Sequence, residues 1–349
     1  MAPMQVDIAA NSFSMPISEL PADTEVEYLA EGGANIVYKM TVPESNRTNS
    51  EIRGQRAIYH GKLLRLRKRI DSGTPYTETA RNFDSQIRSL FRDNELVAQE
   101  LIKLPKNFVS SCNERLKEDE TNGRRPKQRH GVYLSTKEPF GLLITDMSPS
   151  LGSGADLWEF KPKWLIQSPS APLNAKRCRT CALRAMKNHQ ARQRGEKARE
   201  GFCPLDLVSD DFEHVLRAVK SIKGPQHDRI RVTKFLHRNP TLLKLRDCQQ
   251  RMNAVGLPGL DADYRDRAVS MTLRDCTMFV KVPRDEAETP EVRLGDLDFK
   301  SGTGGKLEYW RGIETRLIED GWYQGTDAAM EDGGGCSLQN NRKDTTRGE

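Results

Sequence analysis

No run of this sequence is apolar over the roughly 18 to 20 residues that a membrane helix needs. Hydrophobic residues make up only 36% of the chain against 30% charged, a balance that leaves part of it as loop or tail. The first residues, MAPMQVDIAANSFSMP, contain neither a basic nor an apolar stretch, so no secretory signal is expected. Disulfide rhythm is also missing: the seven cysteines are an odd number, scattered along the chain. That usage suits a reducing compartment, nucleus or cytoplasm. Aromatic residues are scarce where charge is densest. From Lys161 to Glu200 there are eleven Lys or Arg against two acidic residues, a local net of +9, with Trp164 the one aromatic among them. The whole chain nets +6, so the remainder is slightly acidic. A strongly anionic partner is expected at this strip, while a stacking platform for single-stranded nucleic acid is not.

The 349 residues suffice for two lobes, each with its own core. Residues 1–19 and 326–349 are polar and have little to bury; they read as disordered tails. Between them the pattern divides into an N-terminal lobe, 20–147, and a C-terminal lobe, 148–325. Val26 and Tyr28, then Ile36 and Tyr38 across Glu31-Gly32-Gly33-Ala34-Asn35, predict a hairpin with a glycine turn. Residues 62–66, 132–134 and 141–145 read as strands, and the apolar positions from Ile87 to Leu104 as one long amphipathic helix. Further on, a helical stripe runs from Phe212 to Ile222 after Asp210. Strands are expected over 270–282 and 292–299, and a last helix over 310–318. Segments 41–56, 115–130 and 284–291 read as loops. The class is α/β in the broad α+β sense.

Five constellations carry possible chemistry, each beside a plainer reading. The glycine turn (Gly32, Gly33, Ala34, Asn35) can offer backbone N–H groups to a nucleotide's phosphates or be an ordinary hairpin. Arg65 on the third strand can pair with phosphate or sit at the surface. Lys161, Lys163, Arg177, Arg179 and Arg184 suit phosphate by charge-assisted bonds, with nucleic acid as the competing ligand. A strand would point Lys161 and Lys163 to one face. Asp275 and Asp296, each placed at a late strand, can serve as a general base and an Mg²⁺ ligand or form structural ion pairs. Cys178-x-x-Cys181, with His189 and Cys203 downstream, has a spacing that permits zinc without requiring it.

Taken in order, these stretches resemble the inositol-pentakisphosphate 2-kinase family, in detail its fungal branch, over roughly residues 28–323. Glu159-Phe-Lys-Pro-Lys163 is similar to that family's most specific signature, E-I-K-P-K. Leu273-Arg-Asp275-Cys-Thr-Met278 resembles its K-D-C-S-I-M stretch, and Gly295-Asp296-Leu-Asp-Phe-Lys300 its D-L-x-L-K. The resemblance implies a two-lobed inositol-polyphosphate kinase distantly like protein kinases, using ATP and Mg²⁺ to phosphorylate the 2-hydroxyl of inositol pentakisphosphate. It makes Asp275 the base, and Asp296 the Mg²⁺ ligand with Asp275 as a second. Gly32, Gly33, Ala34, Asn35, Arg65, Asp146, Met147, Glu159 and Arg231 become nucleotide contacts. Arg129, Lys161, Lys163, Arg179, Lys300, Lys306 and Tyr309 become substrate contacts. The zinc site that some members carry in a long insertion has no counterpart here. A monomer without membrane insertion is expected. The alternatives are a nucleic-acid-binding protein using residues 161–200 with a zinc knuckle, and a non-catalytic inositol-phosphate sensor.

Overall fold

The computed structural model describes residues 17–43, 59–70, 74–150, 152–252, 256, 257, 260, 264–325 and 335–338. Most of both expected tails, and residues 44–56 of the first expected loop, lie outside the described residues. The chain divides into two compact units: residues 1–85 with 97–146, and residues 86–96 with 147–349. Helices and antiparallel sheets mix in both, so the fold is α+β. None of the helices among the described residues is long and apolar enough to cross a membrane.

The first unit is built on five strands, β1 (Glu25–Glu31), β2 (Asn35–Thr41), β3 (Lys62–Arg67), β4 (Gln99–Lys103) and β5 (Phe140–Thr145), in the order β1-β2-β3-β5-β4. A strand covered on both faces is apolar on both, and β3 buries Leu63, Leu64 and Leu66 in turn. The glycine hairpin forms as expected, with Gly32 N donating to Asn35 O at 2.9 Å. Helix Phe108–Thr121 brings Cys112 and Leu116, one turn apart, into the cluster around Leu20, Ile36, Tyr38 and Leu64. Tyr76 and Ala80 of helix Tyr76–Asn82 pack with Leu142 in a second, smaller cluster.

Two expectations fail in these stretches. The apolar positions from Ile87 to Leu104 do not make one helix: short helical turns precede β4, which pairs along β5 from Gln99↔Ile144 to Lys103↔Phe140. A ladder of backbone bonds overrode a helical spacing that carried no strong cap. Conversely, 115–121 is helix rather than loop, because two buried residues suffice to dock a polar helix. Residues 132–134 provide only a single bridge, Lys68↔Leu134.

In the second unit, β6 (Asp156–Phe160), β7 (Thr277–Val282) and β8 (Glu291–Gly295) form an antiparallel sheet in sequence order. Its core includes Trp158, Met278, Val280 and Leu294, all 0% exposed. Gly224 lies against Trp158 so closely that a Cβ there would stand 2.4 Å from the indole. Helix Phe212–Lys220 starts with Asp211 accepting from Glu213 N, one residue beyond the expected start. Helix Pro240–Arg251 is opened by the Asn239 cap and a proline in its first turn, a strong start signal. The expected strand 270–282 divides: helix Tyr264–Leu273 ends first, and only Thr277–Val282 is strand. A continuous apolar run cannot reveal where the period changes.

Candidate active site

Sheet register decides what meets in the second unit. Phe160 pairs with Met278 and Thr277 with Gly295. The chain leaving β6, the chain entering β7 and the chain leaving β8 therefore emerge at one end of the sheet. They carry Lys161 and Lys163, Asp275, and Asp296. None of the four is inside a strand, contrary to expectation, and two have left-handed backbone: Lys163 at φ 62° and Asp296 at φ 52°. Such conformations cost about 1–3 kcal/mol and concentrate at functional sites.

The side chains converge on Asp275. Lys163 Nζ donates to its Oδ1 at 2.7 Å, and Lys300 Nζ lies 3.3 Å from Oδ2. Lys161 Nζ donates to the Asp275 carbonyl at 2.8 Å and to Asp296 Oδ2 at 2.6 Å. Two carboxylates thus face three ammonium groups, all partly open to solvent. Partial burial pushes the Asp275 carboxyl up, but the Lys163 hydrogen bond and the charges of Lys163, Lys300 and Lys161 bring it below its ordinary value. Burial likewise opposes the charge on Lys161, and its bond to Asp296 more than compensates, raising it. Lys306 and Tyr309 stand exposed on the first turn of helix Lys306–Glu319, and Glu159 is exposed on β6.

Arg179 is placed differently from the lysines. It is 8% exposed, its Nε donates to the buried Glu314 carboxylate at 2.8 Å, and its guanidinium lies 4.3 Å from the Trp164 ring. We therefore leave it out of the substrate set. Arg177 is also buried, so the basic strip is interrupted, although Lys176, Lys187, Arg192, Arg194, Lys197 and Arg199 are exposed. Arg231 donates to the carbonyls of Pro283, Asp285 and Glu288 at 2.5–2.6 Å, pinning the loop before β8. Met147 is buried in the same unit.

The remaining expected residues belong to the first unit. Arg65 is 6% exposed rather than superficial, with its guanidinium 5.9 Å from the Tyr76 ring. With the Asn35 amide turned to satisfy its neighbours, its oxygen accepts from Arg65 Nε at 3.2 Å and its nitrogen donates to Tyr76 Oη at 2.9 Å. The glycine hairpin is held from behind by a buried ion cluster that the sequence did not reveal. Glu31 accepts both Arg125 Nε, at 2.8 Å, and Arg125 Nη2, at 3.0 Å, and pairs with Lys68. Lys68 Nζ also donates to Gly32 O at 2.7 Å. Four residues beyond Arg125, Arg129 ends a short helical turn, partly exposed. Asp146 N donates to Gly61 O at 2.8 Å.

Zinc chemistry has a candidate centre of its own. Cys178, Cys181, Cys203 and Cys336 are buried free thiols whose sulfurs all lie within 4.8 Å of one another. Cys178 and Cys203 are 3.8 Å apart, Cys203 and Cys336 3.7 Å. Four thiolates at the tetrahedral Zn–S distance of about 2.3 Å stand about 3.8 Å apart. The fourth member of this cluster is not His189, whose ring packs 5.5 Å from Trp322. It is Cys336, from the stretch read as a tail with little to bury, and it is 1% exposed.

Known proteins are similar to this chain over most of its length. The chain is 33% identical to the inositol-pentakisphosphate 2-kinase of Yarrowia lipolytica over 229 residues, covering 59% of this chain and 71% of that one. It is 23% identical to the protein of that name from Debaryomyces hansenii over 327 residues, covering 76% and 78%. The profile of the family described as inositol-pentakisphosphate 2-kinase matches residues 28–235 and 228–316. That span holds the glycine hairpin, the lysine cluster and both aspartates, and the chain belongs to this family of enzymes, the inositol-pentakisphosphate 2-kinases.

Proposed function

We propose that the protein transfers the γ-phosphate of ATP to the 2-hydroxyl of inositol 1,3,4,5,6-pentakisphosphate, giving the hexakisphosphate. The observation that carries this reading is Asp275 held among Lys161, Lys163 and Lys300. A pentakisphosphate brings roughly −7.5 to −10 of charge, taking about −1.5 to −2 per phosphate. Its phosphates outcompete one carboxylate for those ammonium groups. As the lysines turn to phosphate, the interactions that depress Asp275 weaken and its basicity rises toward what a general base requires. The substrate thereby activates the group that takes its proton. Lys306 and Tyr309, exposed nearby in sequence, and Arg129 of the first unit complete the substrate set.

For the nucleotide, Gly32 and Gly33 are informative. Neither has positive φ, and a Cβ on either would meet nothing within 4 Å. Packing does not require glycine there, whereas close approach of a phosphate to the backbone does. Arg65, Asn35, Asp146, Met147, Glu159 and Arg231 make up the rest of the nucleotide set. Asp296, a hard oxygen donor at the strand end, would hold Mg²⁺, leaving the Asp275 carboxylate to the proton. The ion supplies charge neutralisation on the β- and γ-phosphates. The protein's own work is positioning and electrostatic stabilisation. We read the four-thiol cluster as a structural Zn²⁺ site.

The test is turnover of inositol pentakisphosphate with Mg-ATP by the wild type beside Asp275→Asn. Product from the wild type alone supports the reaction and the base together. Binding without product in both would favour the sensor reading, and absence of binding would sink the proposal.

A further inference from the structure

Behind the lysine cluster lies a buried glutamine to which no role has been assigned. Gln249, on helix Pro240–Arg251, is 0% exposed. Its Nε2 donates to the carbonyl of Lys163 at 2.8 Å and to the carbonyl of Leu273 at 3.0 Å. Its Oε1 accepts from Leu165 N at 2.9 Å. Two carbonyls can only accept and the amide N–H can only donate, so the orientation is fixed by chemistry and both amide hydrogens are used. One side chain thus joins the turn that carries Lys163 to the helix end two residues before Asp275.

Lys163 has φ 62°, a conformation that a residue with a Cβ keeps only when its surroundings impose it. The turn is clamped on both sides of Trp164, immediately after the strained residue. Gln249 takes the Lys163 carbonyl and the Leu165 N–H, and Trp164 between them lies 4.3 Å from the Arg179 guanidinium and 4.7 Å from that of Arg274. No ligand, metal or solvent is needed to explain why Gln249 is there. A hydrocarbon of the same volume would fill its space but deprive the Lys163 carbonyl and the Leu165 N–H of their Gln249 bonds, and leave the Leu273 carbonyl to the Cys276 thiol at 3.4 Å.

We propose that Gln249 is a positioning residue for phosphoryl transfer. It acts through the main chain to hold the Lys163 ammonium beside the Asp275 carboxylate, so that inositol-phosphate affinity and base placement are set together. This rests on the function proposed above. A shift of about 1 Å in such a constellation is worth roughly a hundredfold in rate.

The experiment is a double-mutant cycle on the full chain, with the dissociation constant of inositol pentakisphosphate read by calorimetry beside kcat and KM. Gln249→Met removes all three bonds. Gln249→Glu keeps the acceptor for Leu165 N but turns an oxygen toward both carbonyls, so it abolishes the two donor bonds selectively. Either variant is expected to weaken inositol pentakisphosphate binding about tenfold or more and to lower kcat, while changing Mg-ATP affinity less than about twofold. In a Lys163→Ala background the same substitution should change inositol pentakisphosphate affinity by less than about twofold, because the group it positions is gone. Full additivity with Lys163→Ala, or equal losses for both ligands, would show a general scaffold residue and overturn the inference alone. A wild type that fails to bind inositol pentakisphosphate would overturn the functional reading and the inference together.

Discussion

Lys163 Nζ and Asp275 Oδ1 are 2.7 Å apart, although 112 residues separate them in sequence. In this arrangement a group assigned to hold substrate and the group assigned to deprotonate it neutralise each other until substrate arrives. Removing the carboxylate should therefore separate binding from chemistry. Asp275→Asn is expected to lower kcat by about a hundredfold to ten-thousandfold, the usual worth of a general base. Affinity for inositol pentakisphosphate should hold or improve, because the lysines lose their internal competitor. Calorimetry and product formation on the same preparation decide it, and parallel losses in both would count against the base assignment.

The acid limb of activity should move between free and bound enzyme. In the ligand-free protein the Lys163, Lys300 and Lys161 charges hold Asp275 below its ordinary value despite partial burial. The kcat/KM profile reports that free state and kcat reports the complex. With the lysines drawn to phosphate, the acid limb of kcat should lie at higher pH than that of kcat/KM. The sign for stability follows from the same depression. A carboxyl lowered in the folded state contributes stability that is fully present above its unfolded pKa and is lost as pH falls through the folded one. Asp275→Asn should flatten that part of the acid denaturation profile, and coincident limbs for kcat and kcat/KM would contradict the account.

The glycine hairpin depends on charges that never reach solvent. The side chains of Glu31, Lys68 and Arg125 are 2%, 1% and 0% exposed. Burial raises the Glu31 carboxyl, but hydrogen bonds from Arg125 and Lys68 outweigh it and keep the group ionised. Breaking a buried pair by removing one partner costs about 3–5 kcal/mol, since the other charges stay desolvated. Glu31→Gln should destabilise the first unit by that amount in urea denaturation and raise KM for ATP more than KM for inositol pentakisphosphate. A change below about 1 kcal/mol would put Glu31 with the weak exposed pairs.

Motif chemistry was legible in the sequence where it is local, and obscure where it depends on register. Lys161, Lys163, Asp275, Asp296 and Lys300 could each be named, but not their convergence at one sheet end, which follows from Phe160↔Met278 and Thr277↔Gly295. The hairpin and the last helix carried strong signals, a glycine turn and an apolar stripe. Helix Phe108–Thr121 carried little, burying only Cys112 and Leu116. Arg179 shows the limit from another side: its charge suggested a ligand, whereas Glu314, 135 residues away, receives it. Gln249 gave no signal at all, because an amide that serves three backbone groups looks like any other polar residue in a helix.

The four-thiol cluster makes the last prediction, and it turns on Cys336. Cys178 and Cys181 stand at the start of helix Arg179–Gln193, and Cys203 precedes the helical turn Pro204–Leu207. Cys336 comes from beyond the last long helix and accepts from Cys178 N at 3.2 Å. Its neighbour Ser337 donates to Asp206, which Arg217 also holds at 2.7 Å. Metal binding at this site would tie the C-terminal segment to two earlier ones, and binding energy of that kind is folding energy. The purified protein should carry one zinc per chain by elemental analysis. Cys336→Ser should lose most of that zinc and lower the melting temperature, while a strong chelator lowers the wild type toward the variant and leaves the variant unchanged. Because the thiols are buried and none belongs to the lysine cluster, kcat at low temperature should survive Cys336→Ser far better than thermal stability does. A metal-free wild type with the same melting temperature before and after chelation would reduce the cluster to four packed thiols.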